Sequence, residues 1–409
     1  MAVIKLDSIL LPTTKQNTSV KSRFILLKDV DTFICPRCLN QDPLKLGLRN
    51  GFIYCRACIQ FQQESWIPKP REPMAVSINL GYALTEAQQT ISNALINCYR
   101  KKQSAMVDAV TGSGKTEIVF GLIQVGLAEG KRIGFVIPRK DVVLELIPRF
   151  KEVFPSIQVV GVFGGHSSTL EGDLIILTTH QMYRYEHYFD VLIFDEVDAF
   201  PYAGDPVLKA MVERASNGII VYLSATFSQE ELMKFREDGG KVFQLFKRFH
   251  GNPLPVLQYK IHPFFIKWFT IIDLLEQMNK QGKPIFVFVP TIGIGQKLWK
   301  WLRLFFKDVT LAYASIEQRE ELIETFKKKG SGILITTSIL ERGITMLGLQ
   351  VIIFKADHPL FLTSTIIQMA GRVGRKIQDP KGNIYLLVNR ITPFIKAAQE
   401  KITIANAHV

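Results

Sequence analysis

"SAMVDAVTGSGKTEIVFGLI", residues 104–123, decides how this chain is to be read. An apolar-rich run ends near Ala109, Thr111-Gly112-Ser113-Gly114 follows, and Lys115-Thr116 open a segment with helical apolar spacing. A strand that turns through glycines into a helix start points successive backbone N–H groups at one spot, which makes a nest for phosphate. The glycines let the backbone approach the anion. Lys115 is placed to reach the β- and γ-phosphates, and the Thr116 hydroxyl to ligate Mg²⁺. The usual spacing is G-x-x-x-x-G-K-[ST], and here Ala109 stands in its first position. Thr111, Gly112, Ser113, Gly114, Lys115 and Thr116 are therefore the candidate nucleotide-binding residues, with ATP and Mg²⁺ as the expected ligands.

Such a loop needs a second strand whose tip offers a carboxylate to the metal. In "FDVLIFDE", residues 189–196, the apolar run Val191 to Phe194 leads straight into Asp195 and Glu196, with Asp198 two positions further on. Three carboxylates in four positions repel one another unless something offsets them. Asp195 is assigned to Mg²⁺, and Glu196 to orienting or deprotonating the attacking water. "YLSATF", residues 222–227, ends another apolar run in Ser224 and Thr226. Their hydroxyls are suited to bond Asp198 and couple the nucleotide to the rest of the site.

Around these segments, short apolar runs alternate with amphipathic helical stretches. Six strand-like runs fall in the first half and five in the second, with "RFHGNPLP", residues 248–255, as a hinge between them. The alternation argues for an α/β fold of parallel sheets with helices on both faces. Four of the five cysteines lie ahead of this region, in "CPRC" at 35–38 and "CRAC" at 55–58. Two thiolates three positions apart occupy two corners of a tetrahedron, and a second knuckle supplies the others. Asn50-Gly51 between them is a hairpin turn signal. Cys35, Cys38, Cys55 and Cys58 are read as Zn²⁺ ligands of a ribbon, against a redox pair or two disulfides, the latter a framework that a cytosolic chain disfavours. Cys98 is read as a buried helix residue. Prolines at 68, 70 and 73 mark a linker. The expected organisation is a module over 1–75 with the ribbon at about 33–62, a lobe over 76–247 and a second lobe over 248–409.

The composition excludes some classes. Of 409 residues, 47% are hydrophobic and 21% charged, ordinary for a globular chain with sizeable cores. No apolar run approaches the ~20 residues of a membrane span, and the N-terminus lacks a secretory pattern. The net charge of +13 favours a polyanionic partner without identifying it.

In chain order, Lys115-Thr116, Asp195-Glu196-Val197-Asp198, Ser224-Ala225-Thr226, "TTSILERGIT" (336–345) and "QMAGRVGR" (368–375) resemble motifs I, II, III, V and VI of superfamily 2 helicases and translocases. The resemblance implies two RecA-like lobes that close on ATP across a cleft. Arg372 and Arg375 would approach the γ-phosphate as an arginine finger does, Gln368 would position water or phosphate, and Gly343 would contact the nucleotide. "LTEAQQ", residues 84–89, resembles the Q motif, with Gln88 reading adenine. Thr85-x-x-Gln88 is equally a capping box, and both readings stand. Nucleic-acid contacts carried over from the superfamily are Pro138, Arg139, Thr178, Thr179, His180, Gln181, Pro290, Thr291, Thr336 and Thr337, groups suited to gripping phosphates without reading sequence. "KLWKWLRLFF", 297–306, is expected mostly to pack in the core.

More narrowly, the four-cysteine module with "DEVDAFPY", "HGNPLP", "ASIEQR" and "TTSILERGIT" is similar to the late-competence DNA-uptake ATPases of transformable Gram-positive bacteria. That implies an ATPase driven by single-stranded DNA at the inner face of the cytoplasmic membrane. Its implied partners are a phosphoribosyltransferase-like competence protein and the inner-membrane DNA channel. Peripheral membrane association and oligomerisation are left open. The alternatives are a replication-restart helicase, in which the zinc region interrupts the second lobe, and a DNA-binding scaffold with a nucleotide switch.

Overall fold

The structure is a computed structural model and describes residues 33–49, 52–61, 71–166, 168–263, 265–316, 318–338 and 346–409. The Asn50-Gly51 turn, Gly343 and the first two prolines of the expected linker lie outside the described residues.

The cysteine module is a two-stranded antiparallel ribbon, β1 (Leu46–Arg49) against β2 (Phe52–Cys55), with Leu46 opposite Cys55. Residues from Arg71 onward do not hang free as a linker. The Arg71 guanidinium donates to the carbonyls of Gly172 (2.6 Å) and Asp173 (3.2 Å), and Val76, Ile78 and Leu80 pack against the first lobe's core.

The first lobe follows. Helix α1 (Glu86–Arg100) starts at Thr85, where a reciprocal capping box with Gln88 satisfies two orphan donors. Then come β3 (Ala105–Ala109), α2 (Phe120–Ala128), β4 (Ile133–Ile137), α3 (Lys140–Val153), β5 (Val159–Val162), β6 (Leu174–Thr178), β7 (Phe189–Asp195), α4 (Pro206–Ala215), β8 (Ser216–Ser224), α5 (Gln229–Glu237) and β9 (Lys241–Leu245). The strands lie in the order β5-β6-β4-β7-β8-β3-β9, and every pairing is parallel. Buried on both faces, β4 and β6 carry no exposed position, which is why they read as unbroken apolar runs.

The second lobe contains β10 (Leu257–Ile261), α6 (Lys267–Asn279), β11 (Pro284–Phe288), α7 (Ile292–Leu302), β12 (Val309–Ala312), α8 (Arg319–Lys329), β13 (Gly332–Thr336), β14 (Gln350–Phe354), α9 (Thr363–Ala370), β15 (Ile384–Val388) and α10 (Pro393–Asn406). Its sheet is again parallel, ordered β10-β15-β14-β11-β13-β12. The architecture is the expected one: two RecA-like parallel-sheet lobes preceded by the small cysteine module.

Two strands had no counterpart among the sequence runs. Both β9 and β10 sit at sheet edges, where exposed and half-buried positions carrying polar residues break up the apolar run. On α7 the expectation of core packing holds for Leu298 and Leu302, which are fully buried. Just beyond the helix, Leu304 and Phe305 are exposed instead. Cys98 is buried on α1.

Candidate nucleotide site at the lobe interface

The loop after β3 is held by its glycines. Gly112 and Gly114 both take φ of +81°, a region that a Cβ penalises. The helix that follows does not open at Lys115-Thr116. A tight 3₁₀ turn, Glu117–Val119, precedes α2. Inside the loop, Thr111 Oγ1 and Ser113 Oγ are buried with no hydrogen-bond partner. Buried hydroxyls of this kind are normally satisfied, so their presence beside Lys115 fits a loop shaped for a phosphate group.

Gln88 does more than cap. Its Oε1 accepts from Thr85 N (2.8 Å), and its Nε2 donates to Ser113 O (2.7 Å). The side chain thus ties the start of α1 to the loop, and the capping geometry and the loop contact coexist in one amide.

The carboxylates of "DEVD" go to three different environments, which resolves their crowding. Asp195, at the tip of β7, lies 3.7 Å from Lys115 Nζ and accepts from Glu196 N at 2.9 Å. Glu196 takes φ of +58°, an uncommon conformation for a residue with a Cβ, and lines the same cavity as Thr116. Asp198 accepts from Ser224 Oγ at 2.7 Å. Thr226 reaches this pair through Ser224, to which its N–H donates at 3.0 Å. Downstream, Tyr202 packs its ring on Phe194 of β7 at 4.3 Å between centroids, whereas Phe200 is 82% exposed.

The second lobe closes the cavity. Gln368, at the end of α9, and Arg372 and Arg375, in the turn that follows, line it together with Lys115, Asp195 and Glu196; its volume is about 190 Å³. Burial pulls the Arg375 guanidinium below its ordinary pKa, and the carboxylates of Glu145 and Glu196 counter that. The approach of the two lobes is very close. A Cβ on Gly371 would stand 1.9 Å from Thr111 Oγ1. The donors fit ATP with Mg²⁺. Lys115 and the loop amides suit phosphates, Asp195 and Thr116 suit the cation, and Arg372 and Arg375 suit the terminal phosphate.

Three neighbours escaped the sequence reading. Glu145 and Arg149, on α3, line the cavity, and Arg149 is ion-paired to Glu117. Arg248 is 2% exposed and bonds backbone in both lobes. No motif marks any of them, because their positions are set by how α3 and the hinge fold back on the cleft.

The nucleic-acid candidates gather at the C-terminal ends of adjacent strands, β4 and β6 in one lobe and β11 and β13 in the other. Their side chains divide. Pro138, Thr178, Thr179, Gln181, Pro290 and Thr336 are buried, while His180 is exposed and Arg139, Thr291 and Thr337 are half-exposed. Thr291 Oγ1 caps α7 by accepting from Ile294 N at 3.3 Å, and Gln181 accepts from Arg184 Nε at 2.6 Å.

In the cysteine module the four thiol sulfurs lie within 4.8 Å of one another, and all are free thiols. The Cys35–Cys58 and Cys38–Cys55 sulfurs are 3.7 and 3.6 Å apart. Four sulfurs at ~2.3 Å from a zinc ion stand roughly 3.8 Å apart, so the cluster fits tetrahedral zinc. Hydrogen bonds from Cys38 and then Cys58 hold the Cys35 thiol well below its usual range, while their bonds to Cys35 push the Cys38 and Cys58 thiols up, so of these three only Cys35 is favoured as a thiolate by the sulfurs alone and the other two would need the charge of a bound cation. Phe61 packs on Tyr183 with 5.4 Å between ring centroids, so the module sits against the first lobe.

Residues 81–229 match the family described as type III restriction enzyme, res subunit, and residues 267–376 the helicase conserved C-terminal domain. Among solved structures, Saccharomyces cerevisiae Dbp5 bound to RNA and ADP BeF3 superposes with a TM-score of 0.58 at 16% identity, covering 80% of this chain and 93% of that one. Mycobacterium smegmatis helicase Lhr bound to single-stranded DNA and AMP-PNP gives 0.57 at 19% identity, covering 79% and 48%. These likenesses show the fold. Competence protein ComFA of Bacillus subtilis is 34% identical over 357 residues, 81% of this chain and 76% of that protein. ComFA of Streptococcus pneumoniae is 30% identical over 400 residues, 93% and 91% respectively. With two lobes closing on one cavity and similarity over at least three quarters of both relatives, the chain belongs to the ComFA family of competence proteins, ATP-hydrolysing enzymes of the superfamily 2 helicase type.

Proposed function

We propose that this protein is an ATPase stimulated by single-stranded DNA that moves along the strand and drives import of transforming DNA across the cytoplasmic membrane. One observation supports the catalytic half of this reading most: Lys115, Asp195 and Glu196 from one lobe and Gln368, Arg372 and Arg375 from the other face a single cavity. In this reading Lys115 and the loop amides bind the phosphates, and Glu196 takes the proton of the attacking water. Arg372 and Arg375 stabilise charge that develops on the leaving and transferred groups. Mg²⁺, held by Asp195 and Thr116, would neutralise phosphate charge. Because the site is split between lobes, phosphate release removes the nucleotide's share of the contacts across the cleft. Asp198, Ser224 and Thr226 pass that change on from the strand tips.

The rim of Arg139, His180, Thr291 and Thr337, with backbone amides at the buried threonines, grips DNA phosphates. Zinc on the four cysteines fixes the module. No helix among the described residues is long and apolar enough to cross a membrane. Placement at the inner membrane face is assigned to partners, a DNA channel and a phosphoribosyltransferase-like competence protein. The test is ATP turnover with no nucleic acid, with single-stranded DNA and with single-stranded RNA. DNA stimulation that falls steeply with salt is expected. Turnover indifferent to DNA removes the translocase reading.

A further inference from the structure

We infer that Arg248 is a positioning residue that holds the arginine-finger turn of the second lobe in register with the phosphate loop of the first. This rests on the reading of Arg372 and Arg375 given above. Arg248 follows β9 at the crossing between lobes and is 2% exposed. Its guanidinium spends its N–H groups on backbone carbonyls of both sides. Nε donates to Thr111 O at 3.3 Å, Nη1 to Val373 O at 3.0 Å and Gly374 O at 2.8 Å, and Nη2 to Gly371 O at 3.2 Å. Three of the four acceptors bracket Arg372 and end one residue before Arg375. The fourth opens the phosphate loop.

The neighbouring backbone reinforces the arrangement. Phe249 N donates to Gly112 O at 3.0 Å, and His250 Nε2 lies 3.1 Å from Gly374 O. The guanidinium also packs over Gly112, where an added Cβ would touch its Cγ and Nε at 3.7 Å.

The chemistry of this contact is unusual. Among the described residues no carboxylate forms a salt bridge with Arg248. A buried cation is normally paired or richly hydrogen-bonded, and here carbonyl dipoles alone meet it. Burial, and the like charge of Arg375, lower its pKa to about 10, so it stays protonated at neutral pH. A planar fork with five donors can span two lobes, whereas a lysine has a single point of attachment. Arg248 is therefore required as arginine and not merely as positive charge. It touches no substrate group; it sets where Arg372 and Arg375 stand relative to Lys115.

The experiment uses the full chain with Arg248→Lys and Arg248→Ala. The first readout needs no nucleotide: the distance distribution between spin labels at Lys209→Cys and Lys300→Cys, exposed positions on separate lobes. The parent is expected to give one narrow population and both variants a broader or second, longer one. Millimolar guanidinium added to Arg248→Ala is expected to narrow it again. The second readout is the split between binding and turnover. Equilibrium binding of ATP is expected to stay within about twofold, because the loop is intact. The turnover number is expected to fall by about 10–100-fold, the cost of misplacing a catalytic group by roughly 1 Å. Arg248→Lys keeps the charge and the core around it, so it reports even where Arg248→Ala folds poorly. A narrow parental distance distribution in Arg248→Lys, or turnover that Arg248→Lys leaves unchanged, overturns the inference. Absence of ATP turnover in the parent would instead remove the proposed activity and leave the distance measurement to judge Arg248.

Discussion

Gly371→Ala is the sharpest test of how the two lobes meet. The residue has φ of −64°, which alanine adopts freely, so the effect of the substitution is steric. Its new Cβ would lie 1.9 Å from Thr111 Oγ1, 2.5 Å from Thr111 Cβ and 2.8 Å from Thr111 Cγ2. Rotating Thr111 moves the hydroxyl and the methyl but leaves its Cβ in place. Carbon atoms settle at about 3.5 Å, so the finger turn and the phosphate loop must part by about 1 Å. Overpacking of this kind costs about 1–3 kcal/mol, which two lobes with separate cores withstand. Catalysis is less forgiving. A shift of ~1 Å between Lys115 and Arg372 lowers turnover by about 100-fold, or roughly 2.7 kcal/mol of barrier. The assay is steady-state ATP hydrolysis beside equilibrium ATP binding and a thermal melt. Turnover is expected to collapse while binding and folding persist. Thr111→Gly, which removes the atoms struck, is expected to restore much of the loss in the double variant. Parental turnover in Gly371→Ala refutes the closed approach of the lobes. Failure of Thr111→Gly to rescue refutes its steric cause.

Other outcomes follow from the same geometry. Glu196→Gln is expected to bind ATP normally and to lower turnover by about 100-fold or more, measured by single-turnover hydrolysis; retained hydrolysis removes Glu196 as the base. Ser224→Ala deletes the 2.7 Å bond to Asp198, a loss of about 1–3 kcal/mol. Its expected signature is a lower ratio of DNA-stimulated to basal turnover, with ATP affinity unchanged. Atomic absorption is expected to find one zinc per chain, lost when Cys55 and Cys58 are both replaced by serine; a metal-free chain with a stable module would contradict the assignment.

Much of this was legible in sequence because the relevant chemistry is local. The phosphate loop, the acid-tipped strand and the cysteine knuckles each place their groups within a few residues, and backbone geometry does the rest. The buried strands were legible for a different reason: coverage on both faces leaves β4 and β6 without a polar side chain until Thr178 at the tip of β6. Edge strands β9 and β10 lack that signal. Arg248 was invisible because its partners lie more than 120 positions away in sequence and are backbone carbonyls, which leave no trace in residue identity. Glu145 and Arg149 belong to no motif, and their place at the cavity follows from how α3 lies along the cleft, where Glu145 stays exposed and Arg149 half-exposed. The three prolines argued for a loose tether, and they say nothing of Arg71, which pins that stretch to the first lobe.

The seat of the cysteine module has a consequence for how variants of it are interpreted. Phe61 rests on Tyr183, in the turn Thr179–Arg184 that also carries His180 and Gln181. The proposed metal site and the proposed grip on DNA would therefore share one wall. Stripping the metal is expected to loosen Phe61 and relax that turn, so weakened DNA binding in a cysteine variant would report a displaced neighbour. It does not establish that the module itself touches DNA. The informative controls are side chains of the module that point into solvent, such as Leu44, 85% exposed, whose replacement leaves both the thiolates and the Phe61 seat in place.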